Sequence, residues 1–174
     1  VVTIAEGRII AIEQNTGDSS ARDLGEVAIV PGLINAHTHL EFSDLSEPLA
    51  AEGRFPNWIR RVIDYRIARG PDDGDARRGA IVKGLEESSA AGVAALGEIA
   101  TLPHAPPAYE QASPRLAGTV FLELLGLARD REAELITAAR EHLESQDEGS
   151  RWRHGLSPHA PYTASPAMVS AAVE

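Results

Sequence analysis

Apolar positions along the chain switch repeatedly between strand-like and helical spacing. Val1, Val2 and Ile4 lead into Ala5-Glu6-Gly7, and Arg8 to Glu13 follows, a pattern that predicts strand, tight turn, strand. Asn15 to Ser20 is a polar loop. After Arg22 to Glu26, the apolar run Val27 to Val30 reads as a further strand. Pro31-Gly32 breaks any ladder, and Leu33 to His39 resumes as a strand-like run. Apolar runs without alternation suit strands buried on both faces. The spacing then becomes helical: Trp58, Ile59, Val62, Ile63 and Ile67 predict a helix over 58–68. A second helix is expected over 75–91, with Asp73 or Asp75 as N-cap and Gly92 as its end. Val93 to Ile99 reads as a buried strand, and a loop holding Pro103, Pro106, Pro107 and Pro114 follows. Gly118 to Gly126 is a strand, Arg131 to Leu143 a helix and Trp152 to Ser157 a strand. Ser165-Pro166 starts a last helix, cap followed by proline at the first position. Strand and helix alternate from Leu33 onward, which argues for a parallel sheet with crossover helices. The N-terminal hairpins belong to a separate all-β layer. There is no internal repeat and no low-complexity segment.

Composition narrows the function classes. The 174 residues are the size of one ordinary domain, and a hydrophobic content of 43% supports a packed core. A formal net charge of −10 makes the chain a poor general binder of nucleic-acid backbone. With no Cys there is no disulfide framework, no thiol nucleophile and no thiolate metal site, which fits a reducing, cytoplasmic setting. No signal peptide is visible, and no apolar run approaches a membrane span. The chain starts without Met and stops soon after a new helix begins, so it is expected to be a segment of something longer.

The strongest chemical signal is His37-Thr38-His39. On a strand, residues i and i+2 share a face, so both imidazoles project together. Two neutral imidazoles in that arrangement suit one divalent metal, zinc before other metals. The competing explanation is one structural and one solvated histidine. Position favours the metal, because two adjacent buried imidazoles would be hard to satisfy otherwise.

The stretch Val30 to Leu40, read with Phe55-x-x-Trp58, Val93 to Ile99 and Gly155 to Thr163, resembles the amidohydrolase superfamily. The match is to the branch that holds S-adenosylhomocysteine and related adenosine-type deaminases, guanine deaminase and triazine chlorohydrolases. His39-Leu40-Glu41-Phe42-Ser43 is also similar to aminodeoxyfutalosine deaminases. The resemblance implies an α/β fold: a partial (β/α)8 TIM-type barrel over 31–174, with residues 1–30 forming a segment of a small composite β-sandwich domain. It also implies one zinc, or alternatively iron, held by His37 and His39. A metal-activated water would attack a ring carbon of a cyclic amidine, such as a purine or purine nucleoside derivative, and expel ammonia. Chlorohydrolysis, or opening of a cyclic amide, is the alternative within the superfamily. Outside it, the alternative is a catalytically incompetent piece whose open sheet edge needs a partner.

A full barrel needs about 250 residues, and the residues after His37 have room for only about four or five strand–helix units. The branch places a His-x-x-Glu, a further His and a metal-bound Asp on later strands, and the sequence holds no His-x-x-Glu. No catalytic residue is therefore assigned within the chain. His159 is expected to contact substrate; a third metal ligand and a structural histidine are the alternatives. Glu123, a charge inside an apolar strand, is a pocket candidate that needs a partner or water, and Glu98 invites the same argument with less force. Glu41 meets substrate or caps a loop, and Trp58 lines the pocket or packs in a helix core. His104, His142 and His154 read as solvated or structural, and Asp72-Asp73 and Glu86-Glu87 as solvated surface. The expected partner is a small-molecule substrate, with no nucleic acid and no membrane; a homo-oligomer is compatible with the sequence.

Overall fold

In the computed structural model the chain forms two compact units, Val1–Pro31 and Gly32–Glu174. The structure describes all residues except 15, 16, 18, 19, 51, 52, 71–73, 103–105, 112–115 and 174. The expected N-cap Asp73, the Asp72-Asp73 pair, His104, Pro103 and Pro114 lie outside the described residues.

In the first unit, β1 (Val2–Ala5) pairs antiparallel with β2 (Arg8–Ile12). The two-residue turn places Glu6 and Gly7 at φ 49° and 72°, the positive pair that matches the twist of the flanking strands. The strand expected over Val27 to Val30 does not form. Pro31 has no N–H to give to a ladder, and Val27, Ile29 and Val30 stay 59–70% exposed.

The second unit runs β3 (Leu33–Thr38), a 3-10 turn (Leu40–Phe42), α1 (Phe55–Arg69), α2 (Gly74–Ala90), β4 (Val93–Ala100), α3 (Pro106–Gln111), β5 (Ala117–Leu124), α4 (Arg129–Glu144), β6 (Trp152–Pro158) and α5 (Pro166–Val173). Its four strands form one parallel sheet in the order β3-β4-β5-β6. Chain neighbours are thus sheet neighbours, as for consecutive strands of an α/β barrel. The helix α3 replaces part of the expected proline-rich loop. Pro106 stands at its first position, where the missing N–H has no intrahelical partner to lose.

Helices cover one face of the sheet. Ile81 and Leu85 of α2 pack with Leu96, Ala100 and Val120, and Leu135, Ala139 and Met168 of α4 and α5 pack with Leu122 and Leu124. Even-numbered residues of β4 and β5 therefore face helices, and Phe121 and Glu123 face the other way.

The β3–β4 ladder is irregular where it matters most. Asn35 pairs with Leu96 and Thr38 with Glu98, so three steps along β3 match two along β4. Such a slip bends a strand and re-aims its side chains. Two neighbours accommodate it. Asn35 Oδ1 accepts the His37 N–H at 3.2 Å, replacing a ladder bond. Gly97 leaves room for the displaced peptide, because a Cβ there would stand 2.4 Å from the Ala36 carbonyl oxygen.

Candidate active site

Thr38 is in register with Glu98 on the helix-facing side, so His37 and His39 project from the opposite face, that of Glu123. Their ring centroids are 5.3 Å apart with planes at 74°. His37 is exposed and His39 half-buried. The buried His39 Nδ1 has no hydrogen-bond partner. Burial lowers the His39 pKa below its ordinary value; Glu123 and Glu41 pull it up, and Arg66 and His37 push it down. A neutral, partner-poor imidazole beside a second one is a fit donor pair for a divalent cation. Among the described residues no third His, Cys, Asp or Glu completes a metal-binding group with them.

Behind the pair lies a charged layer. Glu41 is 5% exposed. Its Oε1 accepts from Arg66 Nε at 3.0 Å and Nη2 at 2.7 Å, and the Thr101 hydroxyl bonds to both oxygens at 3.2 and 3.1 Å. Arg77 Nη1 stands 3.8 Å from Oε2. Protein donors thus occupy the Glu41 carboxylate from several sides. Glu123 is 6% exposed and meets the same Arg66 through Nη1 at 3.8 Å. The Arg66 guanidinium also lies over the Phe42 ring, 5.3 Å from its centroid. Arg69 donates to the Glu41 carbonyl at 2.8 Å and pairs with Asp44. Tyr65 donates to Asp44 at 2.6 Å; its pKa is raised by burial first and by that bond second.

A groove of about 450 Å³ opens beside this layer at the C-terminal ends of β4 and β5. Arg66, Arg77, Arg131 and Glu123 give it polar walls, with Thr101, Leu102, Leu125 and Leu135 between them. Active sites of α/β barrels form at this end of the strands.

His159 follows β6 and is exposed. Its N–H donates to the Leu124 carbonyl at 3.1 Å, and its Nδ1 is 2.7 Å from Thr163 Oγ1. The Thr163 hydroxyl also lies 3.2 Å from the Ala160 carbonyl, so Nδ1 is engaged within the turn and Nε2 has no part in that contact. Trp58 is half-buried on α1 and stacks on Phe55 at 5.7 Å. Glu98 points away from the groove, into the helix-facing side of β4. Its pKa is raised well above the carboxylate range by burial, which the bond from Leu40 N–H opposes and the charge of Glu41 reinforces. The Tyr109 hydroxyl faces it and also opposes the rise, although it lies outside hydrogen-bond geometry with every described residue.

His142 and His154 serve the scaffold. Their rings stack at 4.3 Å, His142 is 2% exposed, and its Nε2 is 3.0 Å from the Val120 carbonyl. Glu86 and Glu87 are exposed. Sequence reasoning missed Arg66, Arg69 and Asn35. A buried Glu123 already required a cation, and arginines at positions 66 and 69 share one side of α1, which was the available signal.

A parallel strand–helix sheet with a histidine pair at the C-terminal edge of its first strand has the arrangement of consecutive strands of an α/β barrel. The chain belongs to the amidohydrolase family, whose model matches residues 28–174. It is 33% identical over 155 residues to the aminodeoxyfutalosine deaminase of Deinococcus radiodurans, covering 84% of this chain and 33% of that protein. It is 29% identical over 184 residues to the 5-methylthioadenosine/S-adenosylhomocysteine deaminase of Nitratidesulfovibrio vulgaris, covering 97% of this chain and 39% of that protein. Among solved structures, Helicobacter pylori aminofutalosine deaminase in complex with methylthio-coformycin matches with a TM-score of 0.64 at 27% identity, over 82% of this chain and 33% of that one. Atrazine chlorohydrolase TrzN from Arthrobacter aurescens, solved with zinc, shares the fold with a TM-score of 0.68 at 16% identity, over 82% of this chain and 37% of that one. The chain spans 33% and 39% of the lengths of the two curated relatives. No helix among the described residues is long and apolar enough to cross a membrane.

Proposed function

We propose that the protein hydrolyses the exocyclic carbon–nitrogen bond of an adenine-type nucleoside derivative and releases ammonia, and that this chain carries the first part of the site. The observation that carries the reading is the His37–His39 pair at the C-terminal edge of β3, in a chain with deaminase relatives at 33% and 29% identity. His37 and His39 fit two ligand positions of one divalent metal, zinc by preference. When bound, such a metal acidifies a coordinated water and supplies hydroxide near neutrality.

The chain's own residues do the rest of what falls to this part. Burial keeps the His39 ring neutral and able to donate an electron pair. Arg66 bridges the carboxylates of Glu41 and Glu123 and fixes the wall nearest His39. The groove walls formed by Glu123 and Arg131 give the substrate polar contacts among leucines, and leucines exclude water from one side of the ring. His159 makes a polar contact to substrate through Nε2 at the end of β6. Glu41, held by its protein donors, and Trp58, stacked on Phe55, act at the margin of the site. The Val1–Pro31 hairpin, with Ile4, Ile9, Ile10 and Ile12 57–75% exposed, supports a share in a larger β-sandwich layer. The cysteine-free composition supports a cytoplasmic setting.

The test is metal content together with ammonia release from a panel of adenosine derivatives. Stoichiometric zinc or iron, and loss of both metal and turnover in His37→Ala, are expected. A wild-type protein that turns over substrate without metal, or a His37→Ala variant with full activity, defeats the reading.

A further inference from the structure

Glu98 is the buried group that the proposed chemistry leaves without a task. It is 1% exposed, on the side of β4 that carries Leu96 and Ala100 into the apolar cluster. A carboxyl there costs stability, and an apolar side chain of similar volume would pack without desolvation. Both its oxygens turn to one donor, the Leu40 backbone N–H, at 3.1 and 3.0 Å. That amide follows His39 directly. The bond therefore fixes the plane of the His39–Leu40 peptide, just where β3 gives way to the 3-10 turn.

The other end of the segment is held in the same manner. Asn35 Oδ1 accepts the His37 N–H at the slipped part of the ladder. Between these points the segment lacks regular ladder pairing, so side-chain acceptors at its two ends hold the backbone that carries both rings. Packing secures the far side: Leu40 is 3% exposed, and Gly84 of α2 lets it approach so closely that a Cβ at 84 would stand 2.8 Å from Leu40 Cδ2.

We propose that Glu98 is a positioning residue for the histidine pair: its carboxyl, bonded to the Leu40 N–H, fixes the turn that aims the His39 ring at the metal. The proposal rests on the metal reading above. Groups that orient metal ligands from behind typically contribute about 10–100-fold in metal affinity.

Three variants of the intact protein test it: Glu98→Met removes the acceptor and suits the apolar surroundings, Glu98→Gln keeps an acceptor of the same length, and Glu98→Asp withdraws it by one methylene. Zinc affinity is measured by competition with a chelator, and exchange of the Leu40 amide is measured on metal-free protein. Glu98→Met is expected to keep or raise the melting temperature, to lose protection at the Leu40 amide, and to bind zinc about tenfold more weakly. Glu98→Gln is expected to match wild type in both, and Glu98→Asp to weaken zinc binding as Met does. Zinc affinity at the wild-type level in a folded Met or Asp variant overturns the proposal, as does a Gln variant that loses as much as Met. If Met fails to fold, the Asp and Gln variants decide the matter by the same readouts. Wild-type protein that holds neither zinc nor iron overturns the metal reading itself, which is a distinct result.

Discussion

Replacing Arg66 by methionine isolates what the charged layer contributes. Methionine keeps an unbranched stem against Phe42 and removes the guanidinium. Two carboxylates then lose their shared cation: Glu41, which Arg66 reaches at 3.0 and 2.7 Å, and Glu123, which it reaches at 3.8 Å. Their side chains are only 6% and 5% exposed, whereas that of Arg66 is 25% exposed. Breaking a buried ion pair by deleting one partner costs about 3–5 kcal/mol. Thr101 and Arg77 remain on Glu41, and the partial exposure of Arg66 screens its charge, so the lower end applies, about 3 kcal/mol. Urea unfolding followed through the fluorescence of Trp152, which is 2% exposed, measures the loss. The double variant with Glu41→Gln should cost at least about 1 kcal/mol less than the sum of the single variants, because the stranded charge is gone. An Arg66→Met protein within about 0.5 kcal/mol of wild type, the range of a neutral surface change, refutes the reasoning.

Three further outcomes are expected. Gly97→Ala sets a methyl group 2.4 Å from the Ala36 carbonyl oxygen; backbone cannot rotate away, so a loss of at least about 1–3 kcal/mol in thermal or chemical unfolding is expected, with weaker zinc binding, and a variant as stable as wild type counts against the slip. His142 has its pKa lowered chiefly by burial, with His154 adding to that and the Val120 and Gly155 backbone bonds opposing it. The unfolded state then binds more protons, so this contribution is complete above about pH 6.5 and is lost as pH falls from there through the folded-state value. His142→Gln should flatten unfolding free energy between pH 7 and pH 5, and an unchanged slope contradicts it. His159→Ala should leave metal content unchanged and raise KM about tenfold for loss of one hydrogen bond; loss of the metal would instead make His159 a ligand.

Much of the fold was legible because burial imposes periodicity. The helices α1, α2 and α4 and the strands β4, β5 and β6 each announce themselves through apolar spacing, and Ser165-Pro166 marks α5 through local chemistry alone. The reading erred where one residue type serves two ends. Proline pairs suggested a loop around 106–107, yet Pro106 opens a helix; Val27 to Val30 had strand composition but pairs with no strand among the described residues. An i, i+2 spacing was enough to bring the rings of His37 and His39 together on one face. Arg66 was harder, since its role depends on two carboxylates distant in sequence that only the fold brings to one guanidinium. Glu98 carried a readable charge, but the side of the sheet it faces is set by register, which no local pattern reports.

The slipped ladder would give a bound metal a second consequence. A straight ladder continued from Asn35 opposite Leu96 would bring His37 opposite Glu98 and turn both imidazoles toward the helices. Hydrophobicity does little to choose between these two phases, because Leu33 and Ile34 are 59% and 74% exposed. The choice falls to Asn35, Gly97 and Glu98. A cation gripped by both rings binds one phase and not the other, so by mass action it stabilises that phase. In this strand the cofactor would be part of the code that sets the register, as well as the reagent that the register serves.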